Sequence, residues 1–399
     1  MRAGRTLSAF LVAALATELV DELVDGATGG AWPFMRSDLH LSYAQVGLLL
    51  GVPAILANLI EPAFGLLADA GYRRRVVLAG GVAFAAALAL TAVAGSFWPL
   101  LVAFVLFYPA SGAFVSLTQA ALMDAAPARR EQNMTRWALA GSVGNVLGPL
   151  LVACTVTLGL SWRPAFALLA VLAVGALALM WRSRRVLDSP RARPGVQQQN
   201  DPRSSVRGAA RGTLAALARA DVRGTLALLE ASNLLLDVFR GFLALYVVDA
   251  AGATPAQGAL AVVVLTVAGL AGDALVVPLL ERVSGVAFVR LSAALAAVVF
   301  PAFLLAPHLG VKLALLGVLG PLTAGWYAVL QARLYDLLPE RSGAVMVLGS
   351  VAGIVGGAVP VMLGLLAQWY GVQAAMWALL LGPVALLLGL PRAPLRRDA

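Results

Sequence analysis

Apolar stretches long enough to cross a bilayer, about 20 residues each, follow one another along the whole chain, separated by short clusters of glycine, proline and charge. With those clusters taken as breaks, the pattern predicts twelve helices. Their extents are about 7–34, 42–68, 76–95, 99–126, 136–158, 164–182, 224–248, 256–280, 287–306, 312–338, 343–366 and 372–391. The stretch from Arg182 to Arg223 differs in kind. It is rich in Arg, Gln, Ser and Pro, and reads as a linker that lies on the surface or lacks fixed structure. The expected organisation is a six-helix bundle over 1–182, a linker over 183–223 and a second six-helix bundle over 224–399.

One polar stretch interrupts the first span. Glu18, Asp21, Glu22 and Asp25 are spaced i, i+3, i+4, i+7, so a helix sets all four carboxylates on one face. That face cannot look onto lipid, where a charge at mid-depth costs at least about 2.5 kcal/mol. It must meet protein or a water-filled cavity. The competing readings are an amphipathic soluble helix and a secretory leader cut near Ala13 to Ala16.

Composition removes the soluble alternative. The chain is 61% hydrophobic and 12% charged, against about 25% charged in an ordinary soluble domain, so it is a polytopic all-α membrane protein. A single cysteine, Cys154, excludes a disulfide framework. The two histidines, His40 and His308, lie at span ends and leave no His-rich metal site. No nucleophile–base pair, metal-ligand spacing or phosphate-binding loop is present, so neither an enzyme, a metal nor a cofactor is expected, and the energy source is an ion gradient.

The net charge of +9 is explained by topology and calls for no nucleic acid partner. With the N-terminus inside, 24 of the 29 Lys and Arg fall on the cytoplasmic side, including Arg73 to Arg75, Arg129, Arg130, Arg136, ten linker arginines, Arg282, Arg290 and Arg341. Such asymmetry is the positive-inside pattern. It places both termini and the linker in the cytoplasm of a cell with this chain in its inner (plasma) membrane.

Sliding the second half onto the first at a constant offset of 212 aligns rare intramembrane polar residues without a gap. Glu18 falls on Glu230, Asp25 on Asp237, Gln45 on Gln257, Glu61 on Asp273 and Asp124 on Asp336. Pro109 falls on Pro321, Gly141 on Gly353 and Gly144 on Gly356. The two halves are related six-helix units, an architecture of parallel-repeat transporters. Because Glu18 and Asp25 have counterparts in the interior seventh span, the first span is expected to be retained.

Three motifs carry a family resemblance. Gly65-Leu66-Leu67-Ala68-Asp69-Ala70-Gly71-Tyr72-Arg73-Arg74-Arg75 joins the second and third spans. A carboxylate at a helix end before a basic turn suits a cytoplasmic latch. The motif resembles the loop signature of the major facilitator superfamily, with Tyr72 where that signature places glycine. In the fifth span, Gly141-x-x-Gly144-x-x-x-Gly148-Pro149 is similar to the antiporter signature of the same superfamily, with Val152 and Ala153 in place of its last glycines. The same glycines serve tight helix packing without bearing on direction. The stretches Leu39 to Gly47 and Gly144 to Leu151 are similar to the fosmidomycin-resistance-like exporters.

The resemblance implies a monomer whose spans 1, 4, 7 and 10 line a central cavity. Four carboxylates within about two turns cannot all stay ionised at low dielectric, so Glu18 and Asp25 are expected as proton carriers. Asp21 and Glu22 would support them or hold a cationic substrate. Glu230, Asp237 and Arg240 would form a facing wall, with Arg240 paired to Asp237 and Arg333 bonded to Asp336 or Asp124. Among aromatic residues, Phe34, Tyr108, Phe114 and Trp326, with Trp32 and Tyr327, would line the cavity for stacking or cation–π contact, or else serve as packing and interface anchors. Asp69, Arg73, Asp124, Arg129, Arg130, Glu281, Asp336 and Arg341 would form inner-gate ion pairs.

The function expected from these features is proton-coupled efflux of a small organic compound by alternating access. Uptake of a sugar or organic acid with protons, or carriage of a divalent cation by the clustered carboxylates, are the alternatives.

Overall fold

The computed structural model describes residues 2–126, 129–188, 217–338 and 342–391, the side chains of 2–6, 69, 130, 131, 188 and 342–347 excepted. Among the described residues no strand occurs. The helices are α1 (Arg2–Asp38), α2 (Tyr43–Leu67), α3 (Arg73–Val93), α4 (Phe97–Ser111), α5 (Leu117–Ala125), α6 (Arg130–Thr157) and α7 (Arg163–Ser183). They continue as α8 (Ala220–Asn233), α9 (Phe239–Asp249), α10 (Pro255–Leu280), α11 (Gly285–Leu305), α12 (Leu309–Thr323), α13 (Trp326–Leu337), α14 (Ser342–Tyr370), α15 (Val372–Ala378) and α16 (Leu381–Gly389).

Among the described residues, eleven helical spans are long and apolar enough to cross a membrane. The exception by composition is α1, which has the length but carries the four acids. The predicted fourth, seventh, tenth and twelfth spans are each built of two helices. A π-turn, Gly112–Ser116, joins α4 to α5, and another, Leu234–Val238, joins α8 to α9. Between α12 and α13 the chain turns at Ala324 and Gly325, the latter with φ of 74°. Pro109 and Pro321, one repeat apart, precede two of these interruptions. A proline lacks the N–H that the preceding turn of helix needs.

The chain divides into two compact units, Met1–Val196 and Gln197–Ala399. The expected linker at 183–223 lies mostly outside the described residues. Its first part is a short 3-10 turn, Arg184–Asp188, and α8 begins at Ala220, earlier than the hydrophobic pattern alone indicates.

The repeat is visible in local chemistry. Ser42 and Gln45 form a capping box at the start of α2, and Thr254 and Gln257 form one at the start of α10. Each satisfies two amide groups that a helix start leaves without partners. Within the first unit, α1 packs most extensively on α6. Small residues make this possible. A Cβ on Gly144 would stand 2.6 Å from the Leu19 carbonyl oxygen, and one on Gly26 would stand 2.5 Å from that of Asn145.

A cation braces each unit at the end of its third span, half-buried in the first unit and buried in the second. Arg163 donates to the Ala94 carbonyl across 2.9 Å and pairs with Asp38, so it ties α7 to the ends of α1 and α3. In the second unit Lys312, 3% exposed, donates to Tyr246 Oη and the Phe303 carbonyl at 2.8 Å and to the Leu304 carbonyl at 3.2 Å. Both cations donate to carbonyls at the end of a helix, where intrahelical partners run out.

Candidate functional site

The acid face of α1 is met largely by neutral donors. Glu18, 7% exposed, accepts a side-chain hydrogen bond from Trp137 of α6 and lies against Gly141. Ser111, at the end of α4, donates to Asp21 Oδ1 across 2.8 Å. Asn145 of α6 donates to Glu22. Asp25, one turn further along, is exposed. Tryptophan, serine and asparagine bring hydrogen bonds without a compensating charge.

The structure adds a carboxylate that the first-span pattern does not contain. Glu61 of α2 is half-buried against Gly112, next to the Ser111 that holds Asp21, and its charge reaches Asp21 together with that of Asp25. The signal was present in the alignment of Glu61 with Asp273. Asp273 of α10 accepts the backbone N–H of Gly325.

In the second unit Glu230 bonds Asn233 and lies against Gly356, while Arg240 and Asp237 approach to 3.4 Å, as their spacing predicts. Tyr327, 52% exposed, lies within electrostatic reach of Glu230, Asp237 and Tyr335. Its neighbour Trp326 is fully buried and donates Nε1 to Ser292 Oγ across 2.8 Å.

Several expectations are corrected. Phe114, 1% exposed, is packed against Phe84 and Gly81, so it and Trp326 are core residues and line no cavity. Trp32 is likewise buried, edge-on to Phe104, whereas Phe34 and Tyr108 are half-buried. Asp124 bonds Arg73 across 2.8 Å, within the first unit, where it braces α3 against α5. Among the described residues Arg333 shows no ion pair with Asp336, and its Nε is buried without a hydrogen-bond partner. Glu281 and Asp336 are exposed and show no ion pair among the described residues. Arg129 is exposed. The side chains of Asp69, Arg130 and Arg341 lie outside the described residues.

A family model described as Major Facilitator Superfamily matches residues 14–236, more than half of the chain. The chain belongs to this superfamily. Major facilitator proteins are transporters and not enzymes, and the all-α architecture described above is theirs. The chain is 27% identical over 184 residues to the fosmidomycin resistance protein of Escherichia coli (strain K12), a stretch covering 45% of this chain and 44% of that protein. It is 34% identical over 159 residues to the chloramphenicol resistance protein of Pseudomonas aeruginosa, covering 38% and 36%. The matched stretch thus spans less than half of either relative.

Solved structures match over nearly the whole of this major facilitator chain. A bacterial homolog of the human lysosomal transporter Spinster, inward-facing and unoccupied, superposes with a TM-score of 0.74 at 16% identity, covering 97% of this chain and 96% of that one. The D-xylose–proton symporter superposes at 0.71 and 16% identity, covering 96% of each. At these identities the likeness is one of fold.

Proposed function

We propose that this major facilitator protein is a proton-coupled exporter of small organic compounds, acting as a monomer by alternating access. It would reside in the inner membrane with both termini in the cytoplasm. The observation that carries the reading is the acid face of α1, where Glu18 and Asp21 are held by the neutral donors Trp137 and Ser111. A carboxylate without a fixed countercharge at low dielectric is suited to exchange a proton as its surroundings change. The similarity to two resistance proteins favours export, and makes chloramphenicol and fosmidomycin the first compounds to try.

The test is efflux of either compound from proteoliposomes holding the full chain, with and without an imposed proton gradient. Gradient-driven transport is expected in the wild type, with coupling lost in E18Q or D25N. Wild-type coupling in both variants would overturn the proton role of α1.

A second reading, carriage of an anionic compound such as an organic acid, is favoured by the buried and unpartnered Nε of Arg333. Selective loss of organic-acid transport in R333Q would distinguish it.

A further inference from the structure

Glu61 and Asp273 stand one repeat apart, and each reaches the interruption of a later span in its own unit. In the first unit a Cβ on Gly112, where the π-turn begins, would come within 2.5 Å of Glu61 Oε1. In the second, Asp273 accepts the N–H of Gly325, the residue that starts α13. The approach is close because Gly272 and Gly320 let α10 and α12 touch. A Cβ on Gly272 would lie 2.5 Å from Pro321 Cα, and one on Gly320 would lie 2.6 Å from the Gly269 nitrogen.

An interrupted span leaves amide groups without helical partners. Gly325 itself has no side chain with which to cap α13, and its φ of 74° is one that other residues adopt only under strain. A carboxylate from a neighbouring helix fills the gap and complements the positive end of the helix dipole.

Where α13 begins also decides which way its first side chains point. Successive residues of a helix diverge by about 100°, so Trp326 and Tyr327 cannot share a face. In the observed phase Trp326 enters the core beside Ser292, and Tyr327 stands within reach of Glu230 and Asp237.

We propose that Asp273 is a positioning residue: by capping Gly325 it sets the start and phase of α13 and so holds Tyr327 toward Glu230 and Asp237, where it contacts the transported compound. The contact with the compound rests on the transport reading above. The cap does not.

The experiment therefore has two readouts on the full chain in lipid nanodiscs or vesicles. The first is amide exchange over 325–328, which needs no substrate. D273A should exchange about tenfold faster there than wild type, the effect of losing one hydrogen bond of ordinary net strength, while D273N keeps an acceptor oxygen and wild-type protection. The second is the KM for chloramphenicol. It should rise in D273A about as much as in Y327A and stay within about twofold in D273N, a pattern that general loss of stability does not produce. Should D273A fail to accumulate, D273S, whose hydroxyl falls short of the amide, takes its place. Unchanged exchange in D273A, or D273N behaving like D273A, overturns the cap. Faster exchange in D273A with an unchanged KM overturns the positioning of Tyr327. If chloramphenicol is not carried even by wild type, the exchange readout still decides the cap, and only the export reading needs another compound.

Discussion

Gly141 and Glu18 stand so close that a methyl group on the glycine would come within 2.7 Å of the carboxylate oxygen. The second unit repeats the arrangement with Gly356 and Glu230. Glu230 is the repeat counterpart of Glu18, whereas Gly356 is that of Gly144, so the contact is kept and its register is not. The glycines that resemble an antiporter signature thus seat α6 on the acid-bearing part of α1.

This contact orders the effects of single methyl additions. At Gly148 a Cβ would meet backbone, the Leu23 carbonyl and the Ala27 nitrogen, which cannot yield without moving a helix. At Gly141 it meets mainly the end of a flexible Glu18 side chain. G148A should therefore lower stability by about 1–3 kcal/mol, the usual cost of overpacking, and G141A by less. G141A should instead disturb coupling by moving Glu18. Thermal unfolding in detergent checks the first, and gradient-driven efflux the second. Equal melting temperatures for G148A and wild type would contradict the packing argument.

The adjacent rings of α13 should separate cleanly. W326F loses the bond to Ser292 and is expected to cost about 1 kcal/mol of stability with no change in KM. Y327F should change KM for the transported compound and leave stability alone, since Tyr327 is half exposed. Melting curves and initial transport rates on the same preparations decide this, and a KM effect in W326F would reverse the assignment.

Lys312 should be among the least replaceable cations in the second unit. K312M strands the Phe303 carbonyl at the end of α11, while Tyr246 still donates to the Leu304 carbonyl, and a buried group left without a partner costs about 1–3 kcal/mol. Y246F removes one member of the same network and should cost less. The double variant should cost less than the sum, because the two share partners. Additive losses in a double-mutant cycle would show that they act separately.

Arg73 and Arg219 offer a contrast between ion pairs. Arg73 is buried on Asp124, whereas both Arg219 and Asp221 are exposed. Removing one partner of a buried pair leaves an uncompensated charge, so R73Q should destabilise by up to about 3 kcal/mol, short of the fully buried case because Asp124 is partly exposed. R219Q should leave the melting temperature unchanged, as screened surface pairs contribute little. Matching losses in the two variants would refute the distinction.

Much of the architecture is legible in the chain because a bilayer imposes a length and a composition on every span. The predicted 164–182 differs from α7 by one residue at each end, and the predicted 256–280 differs from α10 by one residue at its start. What period and length could not reveal was the break at Gly325, where one glycine in a continuous apolar run adopts a positive φ and an acid from α10 supports it. Glu61 was visible only as a match to Asp273, since its partner Gly112 lies far along the chain.

By itself, then, the sequence determined the two six-helix halves, the repeat that relates them and the single acid face of α1, because each follows from spacing along one helix or from copying one half. Tertiary structure alone decided that Trp137, Ser111 and Asn145 hold Glu18, Asp21 and Glu22, that Asp124 bonds Arg73, and that Trp326 enters the core while Tyr327 lies within electrostatic reach of the second set of acids. The physical reason is that helical periodicity fixes which residues share a face. Which donor that face meets depends on how helices distant in sequence pack, and small residues such as Gly141 and Gly144 set that packing.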